Sequence, residues 1–445
     1  MRTTYVLAVL LLITSLPNIG GDPTRDPPGS PPQTRDPVEW IKLNEVNSSS
    51  FLNSTNDLTV EYETDENKIA TYDGWDPYFD HNLTIRKAID AAPQWLNDTL
   101  SWKFHTIWDW YGYQFADLLT NESIDWRYKD EIAFAIANTP DDILNRYYVF
   151  PKVLYDNVKM IYQVAEDVDY AEIIDTNTTD GLHSSITYQL PSGKFTLPEE
   201  IYYWYITMPR NSLEYPYYVN LTSGLQTEPE NGVFWREYLY YNSDTGYPVL
   251  RDYLSNCSTL WNRTTNEVQE NGAVAAVTRW QMESMVFGMP QKRSNLPVIA
   301  YQQHIGMCGE NSYLLTAVGK IALIPTVTVI SFEMMHAWNM FFEDGWRVWR
   351  AYDGVIDDPY AEGGPGSVSV HTALNPDGSG FSAAPIHTST ANITVRVQDA
   401  NGRPVDGAMV KLDSQPSTNS HLIYGLIANH TDPGGEATFE VGHAA

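Results

Sequence analysis

The stretch HAWNMFFEDGWRVWRAYD, His336 to Asp353, leaves the chain few ways to fold. Aromatic and apolar residues flank Asp344-Gly345, the dipeptide that most strongly signals a two-residue hairpin turn. Such a turn sets Glu343 against Trp346, and counting outward along both arms sets His336 against Asp353. The pairs alternate from a hydrogen-bonded one beside the turn, so His336 and Asp353 are expected at a non-hydrogen-bonded position. There the β-carbons approach to about 5 Å, and a carboxylate reaches an imidazole nitrogen. Trp338 with Ala351 and Met340 with Trp349 would supply an apolar floor on the same face. A histidine at a hairpin mouth is usually structural when it stands alone, and any bulge between Ala337 and Tyr352 would shift the pairing.

The stretch upstream, GMCGENSYLLTAVGKIALIP, supplies a third group. Leu314, Leu315, Val318, Ile321 and Ala322 fall at helical spacing and Pro325 lies beyond them, which places Cys308 at or just before a helix N-terminus. The positive end of a helix favours a thiolate, and Gly306 and Gly309 leave room for a substrate backbone. A thiolate beside an imidazole held by a carboxylate suits attack on a carbonyl: Cys308 attacks, His336 carries the proton and Asp353 fixes the tautomer. The Cys308 backbone N–H offers one oxyanion donor, and Gln302 is the candidate for the second, with Gln303 and Trp280 as alternatives. Two rival uses of Cys308 stand beside this one. The first is a disulfide to Cys257, which sits inside the sequon Asn256-Cys257-Ser258; the second is a zinc site built with His304 and His336, for which no fourth ligand is obvious.

The remaining sequence divides by composition. Residues 1–21 pair Arg2 with the apolar run YVLAVLLLITSL, the length of a signal-peptide core and too short to cross a bilayer comfortably, and 22–39 form a Pro-rich linker. Residues 40–175 are expected to be mainly helical, 176–264 form an aromatic-rich mixed region, and 265–372 carry the residues named above. Aromatics in the second region could bind glycans, but such clusters more often pack a core. A Gly/Ser/Pro-rich linker at 373–390 precedes alternating strands at 391–445. Eleven N-x-S/T sequons suit an exported, glycosylated chain, and no second membrane segment is visible. A chain with a net charge of -29 over 445 residues is expected to be repelled by nucleic acid and by anionic lipid surfaces, so no nucleic-acid partner is expected. The acidic loop DGVIDDPY reads as solvated surface rather than a calcium loop.

Taken together, GMCGENSYLLTAVGKIALIPT, HAWNMFF and WRAYD resemble the core of the transglutaminase-like superfamily, with Cys308, His336 and Asp353 on its triad positions and Pro325, Ala337, Trp338 and Trp349 on framework positions. The resemblance covers the stretch from the helix containing Trp280 to Asp353. It implies an α+β chain with a papain-like core, in which a Cys-bearing helix packs on an antiparallel sheet, between a helical N-terminal region and a C-terminal β-sandwich-like segment. The CGE after Met307 looks most like secreted archaeal and bacterial members. Two departures are visible: the Cys-to-His interval is compact, and the family's upstream oxyanion tryptophan has no assigned counterpart. VQDANGRPVDGAMVKL and TDPGGEATFEV are similar to carboxypeptidase-regulatory-like or Ig-like repeats without their closing strands, so the chain is expected to be a fragment of a longer protein. The activity implied is that of an exported cysteine enzyme acting on amide bonds of a protein or peptide through an acyl-thioester, hydrolysis being favoured over cross-linking. No cofactor or metal is called for, and attachment at the cell surface is an option. The alternative is a non-catalytic surface glycoprotein using the same fold for binding.

Overall fold

The computed structural model describes residues 40–42, 58–63, 68–73, 81–145, 151–211, 217–223, 225–263, 271–294, 296–331, 335–359, 371–412 and 427–442. The apolar leader and the Pro-rich linker, at 1–39, lie outside the described residues. Among the described residues no helix is long and apolar enough to cross a membrane.

The chain is α+β. Residues 40–175 open with strands rather than helices: Trp40–Lys42, Leu58–Glu63 and Lys68–Asp73 form an antiparallel sheet with the last of them central. Helices follow at Leu83–Ala91, Asn97–Thr106, Asp109–Thr120, Lys129–Asn138 and Pro151–Asp167. In the longest, Val153, Leu154, Val158, Ile161 and Val164 make one buried face, as their spacing requires. The aromatic-rich region is packing material. Tyr188, Tyr202, Trp235 and Tyr240 are buried, and one apolar core runs from Ile85 to Ile356, so this region shares its interior with the helices before it and the segment after it.

Six elements carry the candidate site: helices α1 (Ala273–Ser284), α2 (Pro297–Gln303) and α3 (Cys308–Ile321), and strands β1 (Thr326–Ser331), β2 (His336–Phe342) and β3 (Trp346–Arg350). Helix α3 buries Leu314, Leu315, Val318 and Ile321. Gly319 lets it lie close to β1, since a β-carbon there would fall 2.1 Å from Thr326 Oγ1. The Oη atoms of Tyr170 and Tyr188 donate to the carbonyls of Ala322 and Leu323, each at 2.6 Å, meeting acceptors that a helix end leaves open. Leu323 then turns through the left-handed region (φ 55°), and Ile324-Pro325 leads into β1. Polar contacts fix the helix on the sheet: Asn339 Nδ2 on β2 donates to Ser312 O at 2.9 Å and Thr316 Oγ1 at 2.8 Å, and Thr316 and Thr328 share a 2.7 Å hydroxyl bond.

Strands β1, β2 and β3 are antiparallel neighbours within a larger sheet whose order is Val355–Ile356, β3, β2, β1, Thr372–Leu374, Gly380–Ser382, Ile427–His430 and Met409–Leu412. The last two strands therefore extend the main sheet. Thr390–Arg396 pairs with Glu436–Gly442, and Val410, Ile427, Ala437, Phe439 and Val441 form a small separate core at this end.

The hairpin register differs from the sequence expectation by one residue. Phe342 pairs with Trp346, Met340 with Val348 and Asn339 with Trp349, so the loop holds three residues, Glu343-Asp344-Gly345. Asp344 and Gly345 both have positive φ, 53° and 134°. The cause is Glu343, whose buried carboxylate binds Arg263 Nη2 at 2.6 Å and Arg347 Nε at 3.1 Å. Held by two arginines, its side chain anchors a three-residue loop in place of the two-residue turn. The expected pairs Trp338 with Ala351 and Met340 with Trp349 are not formed. Strand β3 ends at Arg350 and Ala351–Asp353 make a 3₁₀ turn, so Asp353 does not lie across the ladder from His336.

Candidate active site

Cys308 is the first residue of α3, and His336 the first of β2. The helix start is fixed from both sides: Glu310 Oε2 accepts the Met307 N–H at 3.1 Å, and Asn311 Nδ2 donates to Gly306 O at 2.7 Å. Gln281 of α1 in turn donates to Asn311 O at 2.9 Å. The sulfur is thus held at the positive end of a well-anchored helix, partly open to solvent.

Burial pushes the Cys308 thiol up, but a hydrogen bond and charge from His336, with the backbone N–H groups of Ala337 and Gly309, outweigh it and hold the thiol below its ordinary value. The His336 ring stacks on Trp338, with centroids 5.7 Å apart, and the Trp338 indole is itself buried and donates to His387 Nε2 at 3.3 Å. The imidazole is therefore backed by a fixed aromatic plane. A thiol biased toward thiolate, partly exposed and bonded to an imidazole, is equipped for nucleophilic attack with proton transfer.

Comparison with known protein families, with curated proteins and with solved structures returned no match for this chain.

The other candidates from the sequence have different places. Asp353 is not brought to the imidazole: its carboxylate grips Arg350, with Nε at 2.8 and 3.0 Å from its two oxygens and Nη2 at 2.8 Å. The 3₁₀ turn that ends β3 aims it along its own strand end. Gln302 Nε2 donates to Tyr238 Oη at 3.2 Å, Gln303 is tied to the main chain of Lys292 at 2.8 Å, and Trp280 Nε1 donates to Pro248 O at 2.9 Å. Each of the three side chains proposed as oxyanion donors already bonds elsewhere, Gln302 through one of its two amide N–H groups, and the backbone N–H groups at the start of α3 are donors of a further kind.

Both rival uses of Cys308 fail. Cys257 and Cys308 are free thiols, and Cys257 is buried, with its Sγ 3.3 Å from Tyr253 O and its thiol pushed up to about 11 by burial. His304 uses Nδ1 on Ser284 O and Nε2 on Asp244, each at 2.9 Å, so it has no nitrogen for zinc. Among the described residues no group of three or more His, Cys, Asp or Glu could hold a metal ion. In the acidic loop, Asp353 and Asp357 are occupied by Arg350 and Arg347.

Sequence reasoning missed two features of the site. The Met307–Glu310 cap was legible, since a glutamate three residues into a helix is a known start signal. The Ala337 N–H was not, because backbone donors carry no sequence mark.

Proposed function

We propose that this protein is a cysteine-dependent acyl-transfer enzyme acting on amide bonds of a protein or peptide, with Cys308 as nucleophile and His336 as its acid–base partner. The observation that carries the reading is the pairing of the lowered Cys308 thiol with His336 at a helix N-terminus. In the first step the Cys308 sulfur bonds to the acyl carbon, the C–N bond breaks and His336 delivers a proton to the departing amine. In the second, His336 takes a proton from water, the resulting oxygen attacks the acyl carbon and the C–S bond breaks, freeing the acid and the thiol. Water is always present, so hydrolysis is the default fate of the thioester. The Cys-bearing helix packed on an antiparallel sheet is in keeping with the papain-like core that the resemblance to the transglutaminase-like superfamily implies. Export and action outside the cytoplasm are part of the same proposal and rest on the leader-like N-terminus and the sequons. Asp353 acts at most indirectly, by fixing Arg350.

The test is p-nitrophenyl acetate with detection of the protein by intact mass. A burst of p-nitrophenol matched by one acetyl group on Cys308 is expected, with burst and adduct both lost in Cys308→Ser. Hydrolysis of the ester with no acetyl-Cys308 at any time would contradict the proposal.

A further inference from the structure

Apolar side chains that remain largely exposed stand close to Cys308 along the chain and across a short strand pair. Val286–Phe287 forms a two-residue strand parallel to Ile305–Gly306, with Phe287 opposite Gly306 and Gly288 N donating to Gly306 O at 3.0 Å. Gly306 is two residues before Cys308. Paired strands lie about 4.8 Å apart and successive Cα atoms 3.8 Å, so the Phe287 Cα is within about 12 Å of the nucleophile's Cα. Phe287 is 50% exposed, Val286 65% and Met289 66%. The Phe287 ring packs on Tyr352, with centroids 4.9 Å apart, and the Arg350 guanidinium lies 5.6 Å from the Tyr352 ring on its own account. From the other catalytic strand, Met335 sits directly before His336, 75% exposed and held in the left-handed region at φ 51°. A methionine costs more there than a glycine or asparagine would.

The recess that begins on the other side of the sulfur in sequence, at Gly309, has a different character. About 340 Å³ in volume, it is lined by Arg293, Ser294, Gly309, Glu310 and Tyr313, and Arg293 is ion-paired to Glu310. The residues flanking Cys308 in the chain thus differ in character, apolar and exposed around Gly306 and His336, polar from Gly309 onward.

We infer that the acyl group attacked by Cys308 carries a large apolar side chain, aromatic or long aliphatic, seated on Phe287, Met335 and Tyr352. This rests on the acyl-transfer reading above and adds its substrate class: peptides cleaved or transferred after a bulky apolar residue. The polar recess is left to the other side of the scissile bond.

Matched peptidyl chloromethyl ketones test it, one with phenylalanine and one with glycine next to the reactive carbon. Alkylation forms the S–C bond and expels chloride, so it reports access to Cys308 without needing turnover. The phenylalanine probe is expected to modify Cys308 at least about tenfold faster than the glycine probe, and this ratio to fall about tenfold in Phe287→Ala but be largely kept in Phe287→Leu. Iodoacetamide labelling in the same samples reports whether the sulfur still reacts. Equal rates for the two probes in the unaltered protein, or a ratio unmoved in Phe287→Ala combined with Met335→Ala, would overturn the inference while leaving the acyl-transfer reading standing. A Cys308 inert to both probes and to iodoacetamide would overturn the reading and the inference with it.

Discussion

Among the described residues, two groups of ionisable side chains are pushed in opposite directions by their environments. On the helix Lys129–Asn138, Asp130 and Glu131 are fully buried; Tyr203 Oη donates to Asp130 Oδ2 at 2.7 Å and Tyr202 Oη to Glu131 Oε1 at 2.8 Å. Burial raises both carboxyls, Asp130 raises Glu131 further while a hydrogen bond from Glu131 partly lowers Asp130, and the two oxygens left without partners are Asp130 Oδ1 and Glu131 Oε2. One proton between them satisfies both atoms, so this pair is kept short of its full charge. At Cys308 the charged form is favoured instead, by His336 and by backbone N–H groups. Access separates the clusters further. A cleft of about 380 Å³ on the carboxyl side is lined by Tyr162 and Asp175 but not by the fully buried pair, whereas Cys308 itself is partly exposed. Perturbed ionisation marks both places, and exposure to a substrate singles out one.

His336 is carried by β2, whose far end turns through the Glu343-Asp344-Gly345 loop. Glu343→Ala leaves Arg263 and Arg347 without their shared carboxylate. A loss of about 2–3 kcal/mol is expected in urea unfolding, below the value for a fully enclosed pair because both arginines keep contact with water. An unchanged midpoint would mean that the loop does not depend on this carboxylate.

The carboxyl pair should reveal itself through pH. Its folded-state pKa values are raised, so above the ordinary carboxylate range near 4 the folded state holds more protons than the unfolded one. Stability from the pair is full below that range and is lost as pH rises through the folded-state values, a tenfold difference in proton affinity between the two states being worth about 1.4 kcal/mol. Asp130→Asn combined with Glu131→Gln should flatten this decline, measured as unfolding free energy from pH 4 upward. A decline equally steep in the double variant would show that the pair is not its source.

The smallest effect expected is that of Asp353→Asn. Because Asp353 binds Arg350, the rate of Cys308 alkylation at pH 7 should change by less than about twofold, worth some 0.4 kcal/mol. A tenfold loss would restore Asp353 as the group that orients His336.

What the sequence made legible follows from the range of the forces involved. Helix α3 could be read because its apolar spacing, flanking glycines and Pro325 are local signals, and that helix carries Cys308 to its N-terminus. The hairpin could be read from Asp344-Gly345, but not its register, because Glu343 is bound by Arg263 from a distant segment. The one-residue shift also removed the basis for setting Asp353 against His336. The burial of Tyr188, Tyr202, Tyr218 and Tyr240 followed from composition, whereas the use of Tyr170 and Tyr188 to close the end of α3 needed the fold. Before residue 82, Leu58, Val60 and Tyr62 alternate with Thr59, Glu61 and Glu63, a local strand signal outweighed by the helical spacing of the residues that follow.

The most direct test of the His336–Cys308 coupling is the pH dependence of Cys308 alkylation by iodoacetamide, followed by mass, in the unaltered protein and in His336→Ala. The unaltered protein should reach half its limiting rate below the ordinary thiol value of about 8.5, and His336→Ala should move that midpoint upward as burial is left unopposed. Midpoints that coincide in the two proteins, or one at or above about 8.5 in the unaltered protein, would contradict it.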